Sequence, residues 1–259
     1  MYLSQKIIMD KNHNFKRKII NNQYFTPEIV VKKALSFISL SKIKNIIDPA
    51  VGNGVFLKEA IKRWRKADLF GIDIDRHILR KLTTYKIPNA KYFYGNAILN
   101  KIWEQPKIRK ILSNGKFDLV VGNPPFSSRS NRISSKEILS NYILAKYNEK
   151  LRSSQAIEIL FFEIFVRITN EKGKIVIILP EGILSNPKYK YVRKFILNNT
   201  KVLHVISLPE NIFEDTSVRT AILVLKRHNT YSRSYITRLH NLEKTGIINH
   251  TIKISSKYL

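Results

Sequence analysis

The chain has 259 residues, 44% of them hydrophobic, which is enough for one substantial α/β domain with short extensions. It contains no cysteine, so disulfides, thiolate zinc sites and cysteine nucleophiles are excluded. No uncharged apolar run of about 18 residues occurs, and the charged N-terminus does not have the pattern of a signal peptide. The composition therefore predicts an intracellular protein without a membrane-spanning helix.

The strongest compositional signal is the charge. The chain has 46 Lys and Arg against 19 Asp and Glu, which gives a formal net charge of +27. Such an excess destabilises a compact chain by self-repulsion unless a polyanion binds, and nucleic acid is the natural polyanion. The alternative to nucleic-acid binding is a solvated surface whose many lysines reflect the codon composition of an AT-rich genome. That composition does not explain why the carboxylates are so few. Membrane-surface binding is a minor alternative.

Short apolar runs alternate with amphipathic stretches along the chain. The apolar runs predict strands at 46–47, 69–72, 91–94, 117–121, 174–179, 202–208 and 221–225. The amphipathic stretches predict helices at 28–39, 55–66, 75–85, 155–169 and 189–198. Strands that alternate with helices predict an α/β fold with a parallel sheet covered on both faces. At the first helix, Thr26 is expected to be the N-cap and Pro27 the first helical residue.

Two segments break this alternation. Residues 127–154 are rich in Ser, Asn, Lys and Arg, and predict a long loop or a loosely packed helical insertion. The segment after Arg227 is polar and basic.

The first motif with chemical content runs from Asp48 to Leu57. It reads as the end of a strand, a glycine turn and the start of a helix. Gly52 and Gly54 allow a close approach of the backbone to a ligand, which would bind at the helix N-terminus beyond the carboxyl ends of the strands. The motif differs from the dinucleotide fingerprint G-x-G-x-x-G, and an ordinary strand-to-helix turn is the alternative interpretation.

An acid ends the next strand. Asp73 lies 25 positions after Asp48, and a carboxylate there can accept hydrogen bonds from a ribose diol. The alternative role, a helix N-cap, suits Asp75 better.

The third motif is Asn123-Pro124-Pro125-Phe126, directly after an apolar strand. The two prolines lack backbone donors and stiffen the turn. The Asn123 side-chain oxygen and a proline carbonyl can then accept both hydrogens of an exocyclic amino group. Phe126 offers an aromatic face for a stacked base. An ordinary Asn-Pro turn is the alternative interpretation.

Together these residues resemble the gamma-class N6-adenine DNA methyltransferases. Residues 48–57 look like the cofactor motif I, Asp73 looks like the motif II acid, and 123–126 look like the catalytic motif IV. Residues 23–27 look like motif X, which precedes motif I in the gamma order. Residues 174–184 and 192–226 resemble the later strands of modification subunits of type I restriction systems.

The resemblance implies a Rossmann-like class I methyltransferase with a mainly parallel seven-stranded sheet and helices on both faces. It divides the chain into a basic extension (1–22), a catalytic domain (23–227) with the basic insertion (127–154), and a short basic tail (228–259). The implied cofactor is S-adenosylmethionine. The implied cofactor-binding residues are Tyr24, Phe25, Thr26, Asp48, Pro49, Ala50, Gly52, Asn53, Gly54, Phe56, Asp73, Ile74, Asn96 and Ala97.

The implied reaction is direct in-line methyl transfer to N6 of adenine, without a metal. The catalytic set is Asn123, Pro124, Pro125 and Phe126, with the base flipped out of double-stranded DNA onto Phe126. A separate specificity subunit is a further implied partner, and the setting is the cytoplasm of a prokaryote or a viral context. The expected phosphate contacts are Arg129, Arg132, Lys136, Lys146, Lys188 and Lys190.

Two features depart from the family pattern. Motif III carries an acid after its glycine, whereas Asn96 follows Gly95 here, so we expect weakened or altered cofactor binding. Gamma enzymes continue into a target-recognition domain, whereas this sequence stops about thirty residues after the last family strand. Specificity is therefore expected from a separate subunit or from the insertion and the tail, or else to be low.

Three other functions fit parts of the pattern. RNA adenine-N6 and protein glutamine methyltransferases use similar Asn-Pro-Pro-aromatic sites, whereas motif X before motif I favours DNA. A catalytically idle subunit that binds nucleic acid is the third alternative, and the intact residues 123–126 argue against it.

Overall fold

A computed structural model of the chain describes residues 26–39, 42–126, 132–213, 218–228 and 234–256. Tyr24, Phe25, Arg129 and the extension 1–22 lie outside these ranges. Within them, nine strands form one large sheet. These strands are Asn45–Asp48 (β1), Asp68–Asp73 (β2), Ala90–Tyr94 (β3), Phe117–Gly122 (β4), Thr169–Pro180 (β9), Thr200–Ser207 (β10), Thr220–Arg227 (β11), Ile236–Leu242 (β12) and Ile248–Ser255 (β13).

The strand order is β13-β12-β10-β11-β9-β4-β1-β2-β3. Strands β1 to β4 and β9 are parallel to their neighbours in this set, whereas β11 is antiparallel to both β9 and β10. The sheet is therefore mainly parallel on one side and mixed on the other, and the predicted α/β class is confirmed.

The helices are short, and several end earlier than the sequence predicts. They are Glu28–Ser36 (α1), Val55–Arg63 (α2), Arg76–Tyr85 (α3), Asn100–Trp103 (α4), Pro106–Ser113 (α5), Lys136–Leu139 (α6), Ile157–Ile168 (α7), Gly182–Ser185 (α8) and Lys190–Asn199 (α9). Asp75 caps α3 as expected, because its side chain accepts a hydrogen bond from the backbone N–H of His77.

Alternate residues of each central strand face two separate cores, as the period of two in a strand requires. Ile47 and Val120 belong to one cluster of buried side chains, with residues of α5, α7 and α9. Ile46 and Val121 belong to the other cluster, with residues of α1, α2 and α3. The sheet is thus covered on both faces, which explains its near-continuous apolar strands.

Helix α1 begins at Glu28, as the predicted range 28–39 has it, but the predicted N-cap, Thr26, is wrong by one residue. Pro27 is the N-cap and the helix begins at Glu28, without a side-chain cap. The Thr26 side chain makes a different contact: its hydroxyl accepts a hydrogen bond from Asn123.

The predicted basic tail contributes two strands to the sheet. Strand β12 pairs in parallel with β10, and β13 pairs with β12 in a hairpin. These strands extend the predicted seven-stranded sheet to nine. Their sequence signal is weak because β13 lies at the edge of the sheet and is mostly exposed.

The predicted loose packing of the insertion is also wrong for residues 132–154. Strand Arg132–Ile133 (β5) pairs with Gln155–Ala156 (β8), and Lys146–Tyr147 (β6) pairs with Lys150–Leu151 (β7). Four of its side chains are buried in the core: Leu139, Tyr142, Leu144 and Ala145. The segment is also held by the Glu163 carboxylate on α7, which accepts hydrogen bonds from the backbone N–H groups of Ile143 and Leu144. Burial raises the pKa of this carboxyl.

Among the described residues, no helix combines the length and the apolar character needed to cross a lipid bilayer.

Candidate active site

The predicted motifs meet at the carboxyl ends of β1, β2 and β4. Asp48 and Asp73 are the last residues of β1 and β2, and Gly122 is the last residue of β4. Because these three strands are parallel neighbours in the sheet, their ends form one edge. Ligands of open α/β sheets bind at such an edge, where the strand order reverses.

The glycine turn after β1 is built by main-chain hydrogen bonds. The Gly52 N–H donates to Asp73 Oδ2 at 2.9 Å, and the Gly54 N–H donates to the Val51 carbonyl at 2.8 Å. Both glycines have positive φ, +48° and +75°, a region that favours glycine. A Cβ on Gly54 would lie 2.7 Å from Leu82 Cδ2, whereas one on Gly52 would meet nothing closer than 3.9 Å. Gly54 therefore permits packing on α3, and Gly52 leaves open space for a ligand.

Asp48 lies beneath this turn. Its side chain is almost fully buried, and its Oδ1 accepts a hydrogen bond of 3.0 Å from the Ala50 N–H. Burial, with a smaller effect from the Asp73 carboxylate, raises the pKa of Asp48 to about 8. A Cβ on Gly122 would lie 2.7 Å from Asp48 Oδ1, so only glycine lets β4 end this close to the carboxyl group. Gly122 thereby lets the end of β4 pass close to the Asp48 carboxyl, directly before Asn123.

Asp73 connects the glycine turn with the start of α3. Its Oδ1 accepts a hydrogen bond of 2.9 Å from the Asp75 N–H, and its Oδ2 accepts the bond from Gly52. Burial raises the pKa of this carboxyl, and the backbone donors of Asp75 and Gly52 oppose the shift. The next side chain, Ile74, is 52% exposed beside it, an unusual position for a large apolar group and one that suits contact with a flat ligand.

Asn96 and Ala97 form the turn after β3. Asn96 Oδ1 accepts a hydrogen bond of 3.1 Å from the Ile98 N–H. A carbonyl oxygen has a second lone pair, so this bond is compatible with the expected contact to an adenine amine. Two side chains brace the turn from below: Trp103 Nε1 donates to the Ala97 carbonyl at 2.9 Å, and the Tyr142 hydroxyl donates to the Ile98 carbonyl at 2.7 Å. No motif in the sequence indicates either contact.

Asn123 lies at the carboxyl end of β4, and Pro124 and Pro125 follow it, buried and partly buried. Asn123 Nδ2 donates a hydrogen bond of 3.1 Å to Thr26 Oγ1. This bond joins the segments that resemble motifs X and IV, which are 97 positions apart in the chain. It also orients the Asn123 amide, because the nitrogen end is directed at Thr26.

Two aromatic residues of the predicted site are buried. Phe126 is 6% exposed and Phe56 is 2% exposed, and both belong to the cluster between the sheet and helices α1 to α3. In this structure Phe126 therefore packs in the core, and stacking on a flipped base would require it to turn outward. The Phe56 side chain is likewise a core residue. Its backbone N–H, in the first turn of α2, remains the group that could bind a ligand there.

The remaining residues of the predicted cofactor set lie in or beside the glycine turn. Pro49 is buried and Ala50 is partly buried. Asn53 is exposed, and its Oδ1 accepts a hydrogen bond of 3.2 Å from the Val55 N–H at the start of α2.

The predicted phosphate contacts that the structure describes are all exposed: Arg132, Lys136, Lys146, Lys188 and Lys190. Arg132 is the most constrained of them, because its guanidinium donates to the Ser154 hydroxyl at 2.9 Å and to the Ser154 carbonyl at 3.1 Å. Lys188 and Lys190 follow β9, whose carboxyl end is next to that of β4.

The residues at this edge fit S-adenosylmethionine. A nucleoside with a diol and an exocyclic amine needs a carboxylate, an amide oxygen, an apolar contact and an open backbone surface. The ends of three neighbouring strands supply these groups: Gly52 follows β1, Asp73 and Ile74 lie at the end of β2, and Asn96 follows β3.

The fold is that of the class I S-adenosylmethionine-dependent methyltransferases. A structure from Listeria monocytogenes assigned to that class matches with a TM-score of 0.66 and 20% identity, and the match covers 84% of this chain and 65% of that one. The type I restriction-modification system methyltransferase subunit from Streptococcus thermophilus matches with a TM-score of 0.65 and 21% identity, over 84% of this chain and 47% of that one.

The chain belongs to the N-6 DNA Methylase family, whose model matches residues 7–251. Among curated relatives, the methylase subunit of the type I restriction enzyme MpnII from Mycoplasma pneumoniae is 28% identical over 227 residues. That match covers 80% of this chain and 40% of the relative. The chain thus spans well under two thirds of the length of this relative.

Proposed function

We propose that this chain carries out the catalytic step of an S-adenosylmethionine-dependent enzyme that methylates N6 of adenine in DNA. The observation that carries the proposal is the position of Asn123 at the carboxyl end of β4, hydrogen-bonded to Thr26 and directly after Gly122, whose backbone lies against the buried Asp48 carboxyl. Membership of the N-6 DNA Methylase family supports the reaction and the substrate.

Asn123 and Pro124 hold the target amine. The Asn123 side-chain oxygen and the Pro124 carbonyl accept hydrogen bonds from the two N6 hydrogens, which localises the nitrogen lone pair. The bond from Asn123 Nδ2 to Thr26 keeps the oxygen end of the amide directed toward the amine. Positioning of this kind supplies much of the acceleration in a direct transfer.

The cofactor-binding residues orient the methyl donor. S-adenosylmethionine, when bound, supplies the electrophilic methyl group. Asp73 accepts hydrogen bonds from the ribose diol, the Asn96 oxygen accepts one from the adenine amine, and Gly52 permits close approach of the backbone. Tyr24 and Phe25, outside the described residues, are proposed to cover the methionine part together with Thr26.

DNA is bound through its backbone, and the adenine is flipped out of the duplex. The exposed cations of the insertion and of the segment after β9 contact phosphates, which gives affinity without sequence information. A separate specificity subunit is the proposed second partner. The methylase-subunit name of the Mycoplasma pneumoniae relative supports this proposal.

The decisive experiment incubates the purified chain with S-adenosylmethionine labelled in its methyl group and with separate pools of double-stranded DNA, RNA and protein. We expect label in DNA, as N6-methyladenine after digestion to nucleosides. Asn123→Ala should abolish the label while leaving cofactor binding intact in calorimetry, and the exposed Asn198→Ala serves as the matched control. Label in RNA or protein alone, or full activity of Asn123→Ala, would refute the proposal.

The phosphate contacts are tested by fluorescence anisotropy with labelled duplex DNA at several salt concentrations. Affinity should fall with salt at a logarithmic slope of roughly −0.9 per contacted phosphate. The triple variant Arg132→Ala, Lys136→Ala, Lys146→Ala should bind more weakly and flatten this slope. The triple variant Arg80→Ala, Lys81→Ala, Lys244→Ala removes the same charge from other exposed positions, and an equal effect of both would argue against a local contact.

A further inference from the structure

A pocket of about 790 Å³ extends from Trp103 and Tyr142, which support the turn after β3, toward the edge of the sheet opposite the candidate active site. Lys116, in its lining, directly precedes the six-residue strand β4, and Asn123 directly follows that strand. At about 3.3 Å per residue, the two positions are separated by roughly 20 Å. The volume is within the range of pockets that bind small molecules.

Four cationic side chains line this pocket: Arg109, Lys116, Arg167 and Arg227. They come from α5, the turn before β4, α7 and the end of β11, so the tertiary fold brings them together. Burial lowers the pKa of Lys116, and the charges of Arg227 and Arg167 lower it further. Lys116 therefore lies close enough to Arg167 and Arg227 for electrostatic repulsion between them.

The described residues do not neutralise this cluster by ion pairs. Within the described ranges, none of the four cations lies within ion-pair distance of a carboxylate. Arg167 donates to the Asn141 carbonyl at 3.2 Å, and Arg227 donates to the Val166 carbonyl. Backbone carbonyls orient these guanidinium groups without cancelling their charge.

Acidic groups near the pocket are few. Glu104 lines it, and Glu163 and Glu171 influence Arg167 and Arg227 through longer-range charge interactions. With one lining carboxylate against four lining cations, the pocket retains a positive charge that attracts an anion.

Apart from Asn100, Asn199 and Glu104, the rest of the wall is apolar and aromatic. Trp103 and Phe195 are partly buried in it, with Tyr142, Leu112 and Ile164. An aromatic surface beside a cationic cluster suits a ligand that has a flat ring system and several phosphates, because bases stack on aromatic rings and phosphates pair with guanidinium groups.

We propose that this four-cation pocket binds a small polyanionic ligand of the nucleoside polyphosphate class, at a site separate from the predicted methyl-transfer site. Arg109, Lys116, Arg167 and Arg227 bind the phosphates, and Trp103 and Phe195 contact the base. None of these residues belongs to the predicted catalytic or cofactor-binding sets, and Trp103 is the one among them that also supports the turn after β3, through its hydrogen bond to the Ala97 carbonyl.

The test titrates the full chain with ATP in a calorimeter, with tripolyphosphate and adenosine as partial probes. ATP should bind saturably, tripolyphosphate more weakly, and adenosine weakest. Arg109→Gln and Lys116→Gln should each weaken ATP binding about tenfold or more, because each removes a charge-assisted contact. Lys110→Gln is the matched control, since it removes the same charge from the exposed neighbour of Arg109 on α5 and should change nothing.

Two further variants locate the binding. Asp73→Asn alters the predicted cofactor site and should leave ATP affinity unchanged. Trp64→Phe leaves Trp103 as the sole tryptophan, whose fluorescence should then respond to ATP. None of these readouts requires methyl transfer, so their outcome is distinct from that of the proposed function.

The proposal is overturned if ATP gives no saturable heat at millimolar concentration, if Lys110→Gln weakens binding as much as Arg109→Gln, or if Asp73→Asn abolishes binding. It is also overturned if Arg109→Gln and Lys116→Gln weaken the binding of duplex DNA but not of ATP, because the pocket would then contact a nucleic-acid backbone. Arg109 is exposed, so its variant remains informative if Lys116→Gln does not fold.

Discussion

Thr26 and Asn123 form a hydrogen bond of 3.1 Å in which the Asn123 side-chain amide donates to the Thr26 hydroxyl. The bond joins the residue before the first helix cap to the first residue after β4, so it connects two segments of the candidate active site that are far apart in the sequence. Thr26 thereby orients the group that is proposed to hold the target amine.

Thr26→Val, which keeps the shape of the side chain and removes the hydroxyl, should lower kcat roughly tenfold to a hundredfold by misorienting Asn123. The KM for S-adenosylmethionine should change much less. Thr26→Ser keeps the hydroxyl and should retain most of the activity. Steady-state kinetics of the three proteins provide the measurement, and an unchanged kcat in Thr26→Val would argue against an orienting role.

Asn96→Asp should tighten cofactor binding about tenfold, because a carboxylate accepts a stronger hydrogen bond from an adenine amine than an amide oxygen does. The new carboxylate can keep the bond from the Ile98 N–H with one oxygen and use the other for the ligand. Calorimetry with S-adenosylhomocysteine measures the change. The exposed Asn89→Asp adds the same charge elsewhere, and equal affinities in all three proteins would place Asn96 outside the site.

Trp103→Phe should weaken cofactor binding by about twofold to tenfold, because the Ala97 carbonyl loses its hydrogen bond and the turn loosens. Trp64→Phe is the matched control. Trp64 is the other tryptophan, it is buried, and its Nε1 has no hydrogen-bond partner among the described residues. Calorimetric titrations with S-adenosylhomocysteine measure the cofactor affinity of both variants. A similar loss of affinity in Trp64→Phe would indicate a general effect of the smaller ring.

The stacked pair His204 and His240 should make stability depend on pH. Their rings are joined by a 2.9 Å contact between Nδ1 and Nε2, and burial lowers the pKa of His204 to about 4 and also that of His240. At His204 the unfolded chain therefore takes up a proton near pH 6.5 that the folded chain takes up only near pH 4, and the lowered pKa of His240 acts in the same direction. This pair should lose its stabilising effect as the pH falls through that window.

His204→Gln isolates this effect from the buried carboxyls, whose raised pKa values act in the opposite direction. The variant should be less stable than the parent by about 1 kcal/mol at pH 7, because the contact between the rings is lost. The difference should shrink as the pH falls toward 4. Urea unfolding at a series of pH values measures it, and a difference that is constant with pH would contradict the prediction.

The sequence by itself determined the motifs and their order along the chain. The motifs are local patterns, because each is a strand end with characteristic side chains and backbone dihedrals within a few residues. They are residues 48–54, Asp73 and residues 123–126. Apolar strands buried on both faces are also a local signal, which explains why the α/β class and most of the central elements were predictable. The edge strand β13 escaped prediction since an exposed strand at the sheet edge has little apolar pattern.

Only the tertiary structure decided which distant residues meet. The contact of Thr26 with Asn123, the burial of Phe126 and the support of Ala97 by Trp103 depend on packing between elements far apart in the chain. The four-cation pocket is the clearest case, because nothing in the sequence sets Arg109, Lys116, Arg167 and Arg227 apart from the other Lys and Arg residues, of which the chain has 46 in all. The number of basic residues can be counted from the sequence. Which of them lie close together depends on the direction in which each helix and strand crosses the sheet.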